Sequence, residues 1–418
     1  MNSTTGAAAI TAALLLAACG SGTTPSDGAV ITSDTAVASS TAVSSATATI
    51  PSDDSVASTA PPSNAAAPTT TMPDAPEIAG SCVGELDLRS VAALTVWPAV
   101  GPGQWDAAAR AVDELGVGGL VLFEPRGSTA DEVARRLADL EAASQHGLLI
   151  ATDEEGGVVQ RLSVVGDLAS QRSLGTQLGP GDELADIVRA HGDAIRALGV
   201  DVVFGPVVDV APDSGDVPLA ASRFFPGEPD DVAALAGTYV DAWNDAGLLA
   251  TLKHFPGHGA ASADTHDGGA TTPDLASLTV RDFVPYRALA DRVADGDALV
   301  MVGHLTVPGL TDGEPATRSP EAIEYLRSIP GYDDAVVVSD ALGMGAVGLD
   351  EAEASVAALA AGIDVVIFTR TDRTADVITA IAAAVDAGEL DETSLRNSAR
   401  RVMALLERDG HTCNAAAG

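Results

Sequence analysis

The stretch LLATLKHFPGHG, residues 248–259, is an apolar run that ends abruptly in charge. Residues 248–254 have the length of a strand. Their nearly continuous apolar character suits a strand covered on both faces, as in parallel sheets flanked by helices. Pro256 and Gly257 then stop any regular element, because proline lacks an amide donor and glycine favours turns. The charge at the end of the run is unusual for this chain. Its 22 basic residues are 21 arginines and a single lysine, Lys253, which stands beside His254, His258 and His266, three of the seven histidines. Where arginine supplies all other positive charge, one lysine at a strand end points to a specific task, such as donating hydrogen bonds to ligand hydroxyls.

Working outward, similar runs occur at residues 92–100, 117–123, 148–153, 200–210, 298–304, 335–340 and 363–369, which makes eight in all. Amphipathic stretches such as 129–145, 183–198, 229–246 and 349–361 lie between them and suit outer helices with one apolar face. Eight apolar strands alternating with helices predict an α/β fold of the (β/α)8 barrel type, with a doubly wound open sheet as the other arrangement of the same elements. In a barrel, functional groups gather at the C-terminal ends of the strands. Five of the eight ends carry titratable groups: Asp153, Asp209, Lys253 with His254, His304, and Asp340. One such end is an ordinary turn; five together suggest a ligand-binding mouth.

Composition bounds the rest. With 22 Lys+Arg against 59 Asp+Glu, a net charge of −37 repels phosphate backbones and anionic lipid headgroups, so no nucleic-acid partner is expected. Three cysteines without a CxxC pair exclude zinc ribbons, iron–sulfur clusters and disulfide-dense scaffolds. Residues 7–18 form an apolar run too short to span a bilayer, followed by Cys19 in LAAC. Residues 20–81 are dominated by Ser, Thr, Ala, Pro and Asp, with no Lys or Arg, a composition that cannot bury enough surface to offset ordering entropy. The expected organisation is a signal peptide over 1–18, a disordered linker over 19–81, the barrel over 82–413 and a tail over 414–418. Cys82 and Cys413 flank the barrel. A disulfide between them is expected, contributing at most about 5 kcal/mol by loop closure, against the alternative of two free thiols.

The segment Lys253–Gly259, KHFPGHG, with Asp264-Thr265-His266 after it, resembles the KHFPGHG…DSH loop of the family 3 glycoside hydrolases, in particular their β-N-acetylglucosaminidase branch. DEEGGVVQR at residues 153–161 is similar to that family's DQEGGRVQR, the SRFFPGEP loop around Arg223 to its ERSFG-type loop, and VSDALGM around Asp340 to its nucleophile strand. The LAAC ending resembles the lipobox of bacterial lipoproteins, which implies lipidation of Cys19 and a membrane-anchored protein on the extracytoplasmic side. The resemblance implies a cofactor-free exo-enzyme that acts on terminal N-acetylglucosamine of peptidoglycan fragments; a monomer is expected, although the sequence itself does not carry the oligomeric state. In it Asp340 is the nucleophile, His266 the general acid/base and Asp264 its partner, while Asp153, Arg161, Arg223, Lys253, His254 and His304 line the sugar site. Retaining cleavage needs such a carboxylate together with a group that first gives and then takes a proton. Two positions depart from the family pattern: Val158 replaces an Arg, and Ala341 replaces a second Asp.

Other readings compete. Gly343–Gly348 matches GxGxxG, yet it follows the seventh run instead of opening a Rossmann unit, and a small-residue helix start explains it equally well. His254, His258, Asp264 and His266 could in composition hold zinc, but Pro256 and Gly257 prevent a helix from presenting the first two as an i, i+4 pair, and no metal is expected. A phosphorylase or β-glucosidase of the same family, and a tethered sugar-binding scaffold, also stay open.

Overall fold

Each of the eight apolar runs contributes a parallel strand to a computed structural model of the protein, which describes residues 82–123, 127–212 and 219–411. The strands are β1 (Val96–Val100), β2 (Gly119–Leu122), β3 (Leu149–Thr152), β4 (Val202–Val203), β5 (Ala250–Phe255), β6 (Ala298–Val302), β7 (Val337–Ser339) and β8 (Val366–Phe368). Every residue in them is buried, which is why they read as continuous apolar runs rather than alternating ones. Five form a parallel sheet in the order β8-β1-β2-β3-β4, and three form a second in the order β7-β6-β5. Registers such as Val96 with Val366 and Ala250 with Ala298 fix the pairings. Isolated parallel bridges, Val202 with Leu249 and Val338 with Val365, run from β4 to the residue before β5 and from β7 to the residue before β8. Helices alternate with these strands. Thr129 and Glu132 close a capping box on the helix Ala130–Ala143, which buries Val133, Leu137 and Leu140.

The strands are shorter than their apolar runs, as at the first and the fourth. Ala92–Leu94 complete the helix Leu88–Leu94, whose Asp87 cap accepts the Ser90 amide at 2.8 Å, and β1 starts only at Val96. Between residues 200 and 210 the ladder covers only Val202–Val203. Pro206 has no amide to donate, and the pairing resumes at an isolated bridge of Val207 with Lys253. Asp209 thus lies on irregular chain beyond its strand, whereas Lys253 and His254 lie within β5 and not at its end. The Gly343–Gly348 stretch forms turns, and the next helix opens at Glu351 under an Asp350 cap. The expected leader, the linker with Cys19, and Cys413 with the tail lie outside the described residues. Cys82 is disulfide-bonded.

Candidate active site

A chain of hydrogen bonds and ion pairs runs across the C-terminal side of β3 to β5. Asp153, one residue past β3, accepts from Lys253 Nζ at 2.8 Å and lies 3.7 Å from Arg161 Nη2. Lys253 Nζ is also 2.7 Å from Glu155 Oε1. Arg223 grips Glu155 with Nε and Nη2, both at 2.8 Å, and its Nη2 stands 3.3 Å from His254 Nε2. A guanidinium can only donate, so His254 Nε2 accepts and its proton sits on Nδ1, 2.7 Å from Asp209 Oδ2. The other oxygen of Asp209 accepts the amides of His254 at 3.1 Å and His258 at 2.7 Å. One buried carboxylate therefore shapes the whole turn after β5. His258 Nε2 then meets Thr265 Oγ1 at 3.1 Å, and Thr265 is flanked by Asp264 and His266, whose side chains pair at 2.7 Å.

The electrostatics follow from this packing. Burial alone would raise the Glu155 carboxyl, but Lys253 and Arg223 outweigh it and hold it at about 2. Burial likewise pushes the Lys253 ammonium down, and Asp153 and Glu155 more than reverse that, so the only lysine stays charged inside the protein. Asp340 directly follows β7 and is half-buried, and its Oδ1 accepts the Ala341 amide at 2.8 Å. Burial opposes its ionisation, yet His304, His254, that amide and Lys253 bring it down to about 2. His304 is itself buried, and burial lowers its proton affinity.

His304 is tied to the residue that follows the nucleophile candidate. Its Nε2 lies 3.0 Å from the Ala341 carbonyl and its Nδ1 2.9 Å from Thr317 Oγ1. A carbonyl can only accept, so Nε2 carries the proton and Nδ1 receives the threonine hydroxyl. His266 is the exposed member of the set, with 61% of its side chain accessible against 33% for Asp264. Asp264 Oδ1 accepts both the His266 amide at 3.0 Å and its Nδ1, which leaves Nε2 as the ring nitrogen not held by Asp264. Arg161 also packs over the Phe123 ring, 4.8 Å from its centre, while Val158 is 66% exposed two residues beyond Gly156. Among the described residues, no group of three or more His, Cys, Asp and Glu side chains is arranged to hold a metal ion.

Sequence reasoning missed Glu155, although the signal was present. In an extended segment residues i and i+2 share a face, so Asp153 and Glu155 point together at Lys253. Glu154 points the other way. It takes the Arg161 and Leu162 amides at 2.9 and 3.0 Å and pairs with His191 at 2.9 Å, which anchors the loop that carries Arg161.

Asp282 lies directly under the turn after β5, since a Cβ on Gly257 would come within 2.7 Å of its own Cβ. Neither carboxyl oxygen has a well-placed hydrogen-bond partner among the described residues, and Arg281 Nη1 is 3.8 Å away. Burial raises this carboxyl to about 7, opposed by Arg281 and reinforced by Asp209. A raised folded-state carboxyl is harmless while protonated and costs stability as pH climbs from the usual carboxylate range through 7. Asp282→Asn is therefore expected to stabilise the protein by about 1–2 kcal/mol at pH 8 and by much less at pH 5. Denaturant titrations at the two pH values measure this, and an equal effect at both would refute it.

A parallel α/β fold that carries an ionised carboxylate just past one strand, a carboxylate-oriented histidine in the loop after another and largely buried ion pairs among Asp153, Glu155, Arg223 and Lys253 has the parts of a glycoside-cleaving site. Residues 83–405 match the Glycosyl hydrolase family 3 N terminal domain, and the chain belongs to this family of glycoside hydrolases. It is 40% identical over 263 residues to beta-hexosaminidase LpqI of Mycobacterium tuberculosis, covering 61% of this chain and 67% of that protein. A solved family 3 glycosyl hydrolase from Mycobacterium smegmatis superposes with a TM-score of 0.72 at 36% identity, covering 78% of this chain and 98% of the other. A β-N-acetylglucosaminidase of the same family from Paenibacillus gives 0.71 at 32% identity, covering 80% and 64%.

Proposed function

We propose that this enzyme is a retaining exo-β-N-acetylglucosaminidase that removes terminal N-acetylglucosamine from peptidoglycan fragments, with Asp340 as nucleophile and the Asp264–His266 pair as acid/base. Family membership and the relatives named beta-hexosaminidase and β-N-acetylglucosaminidase support the reaction class. The observation that carries the residue assignment is the contrast between a carboxylate held ionised at a strand end and an imidazole held by its own carboxylate. An Asp340 oxygen attacks the anomeric carbon while His266 Nε2 gives its proton to the departing glycosidic oxygen, so one C–O bond forms as another breaks. Water then attacks the same carbon, surrenders a proton to His266, and releases Asp340 with the sugar's configuration retained. Asp264 stabilises the imidazolium through Nδ1. Asp153, Arg161, Arg223, Lys253 and His254 hold the sugar's hydroxyl and acetamido groups, since charge-paired forks and carboxylates suit vicinal hydroxyls.

The proposed scaffold is one (β/α)8 barrel over 82–413. The bridges Val202–Leu249 and Val338–Val365 support it, because they join the two parallel sheets at both of their edges. Export behind the 1–18 leader, lipidation at Cys19, the 19–81 tether and a monomeric state are part of the same proposal. Release of 4-nitrophenol from its β-N-acetylglucosaminide and from its β-glucoside, with and without phosphate, tests the reaction. Turnover of the acetamido substrate alone, indifferent to phosphate, is expected. Acceleration by phosphate would make the enzyme a phosphorylase, and no turnover of either substrate would leave a sugar-binding scaffold.

A further inference from the structure

We infer that Thr265 is a positioning residue for proton transfer, pinning the acid/base pair through its hydroxyl on His258 and its carbonyl on the Ala346 amide. The inference rests on the reading of His266 given above. Thr265 is 1% exposed although both its neighbours reach solvent. Its hydroxyl meets His258 Nε2 at 3.1 Å, and His258 is itself buried and held through its amide by Asp209. From the opposite side the Thr265 carbonyl accepts from Ala346 N at 3.2 Å and the His266 carbonyl from Gly345 N at 3.4 Å. These two amides follow Asp340 by five and six residues, so the segment bearing the proton carrier is stitched to the one bearing the nucleophile. The approach is close enough to require glycine: a Cβ at residue 345 would lie 2.9 Å from the His266 carbonyl oxygen and 3.2 Å from the Asp267 carbonyl carbon. A mostly exposed imidazole draws little placement from its own packing. A displacement of about 1 Å can cost a hundredfold in rate, so its backbone has to be fixed by a buried neighbour.

The test separates a misplaced acid from a damaged fold. In the full-length protein, kcat/KM is compared for a β-linked N-acetylglucosamine disaccharide, whose leaving alcohol must be protonated, and for the 2,4-dinitrophenyl β-N-acetylglucosaminide, whose leaving group needs no proton. Thr265→Val keeps the shape and removes the hydroxyl. It is expected to lose about 10- to 100-fold on the disaccharide and less than about threefold on the activated substrate, while Thr265→Ser restores the disaccharide to within about threefold. Equal losses on both substrates, or no loss on either, overturn the inference. Should Thr265→Val fail to fold, Gly345→Ala attacks the same dock from the other side, and the same selective loss is required of it. His266→Ala is the reference. If it shows the selective loss and Thr265→Val does not, only the inference falls. If His266→Ala treats both substrates alike, the acid/base reading falls and the inference with it.

Discussion

Asp340→Ala is expected to lower kcat on the 4-nitrophenyl β-N-acetylglucosaminide by about 10⁴-fold or more, while leaving the fold intact. The loss is large because no other carboxylate can replace the nucleophile: Asp153 and Glu155 are tied to Lys253, and Asp209 is tied to His254 and His258. The fold survives because Lys253 keeps Asp153 and Glu155 as partners and the Asp340 carboxyl itself accepts only the amide of its neighbour Ala341. Azide supplies the sharper result. A small anion entering the space vacated by the carboxylate attacks from the same face, takes over the bond that Asp340 would have formed, and yields the α-glycosyl azide with partial recovery of rate. Retention of more than about a tenth of the wild-type rate without azide would remove Asp340 from the role of nucleophile. The pH dependence is part of the same expectation. A carboxyl held at about 2 is ionised throughout the range from pH 4 upward, so loss of activity between pH 6 and pH 4 cannot come from protonation of Asp340. The kcat/KM for the 2,4-dinitrophenyl substrate, which reports a first step that needs no acid for departure, should stay flat there.

Much of the scaffold could be read in one dimension because the strands are buried on both faces, which makes apolar runs a direct record of position. The record misleads where an apolar run serves two elements. Ala92–Leu94 are as apolar as the strand after them because the helix Leu88–Leu94 also packs inward, and nothing local marks the change except Thr95. It misleads again at residues 200–210, where Gly205 and Pro206 end the ladder inside a run that stays buried to Val210. For the site, the resemblance pointed to residues whose chemistry is conspicuous, Asp264, His266 and Asp340 among them. Residues whose polar contacts are buried were hidden. Thr265 sits in a stretch of Ala, Ser, Gly and Asp that reads as an exposed loop, and only the fold shows its hydroxyl turned onto His258. His304 was read as lining the mouth. In the structure both its ring nitrogens are engaged, by Thr317 Oγ1 and the Ala341 carbonyl.

Glu155→Gln should have the largest effect on stability. The Glu155 side chain is fully buried, and it bonds Lys253 at 2.7 Å and Arg223 twice at 2.8 Å. Neutralising it leaves two buried cations sharing the partly exposed Asp153 and the more distant Asp209, and breaking a buried pair from one side typically costs about 3–5 kcal/mol. The sign with pH is fixed by the direction of the shift. The folded-state carboxyl is depressed from 4.5 to about 2, so its contribution is fully present above about 4.5 and is lost as pH falls towards 2. Wild type and Glu155→Gln should therefore differ most at pH 7 and approach each other at pH 3, as urea titrations at the two values would show. Equal stability at pH 7 would mean that Lys253 and Arg223 are satisfied without Glu155. On the proposed assignment of Lys253 and Arg223 to the sugar, affinity should suffer as well, because this one carboxylate aligns both cations: a glutamine accepts through a single oxygen and cannot hold the ammonium and both guanidinium hydrogens at once. A rise in KM larger than the fall in kcat on the 4-nitrophenyl substrate is the expected signature, since the group lost orients the binding residues and touches neither Asp340 nor His266.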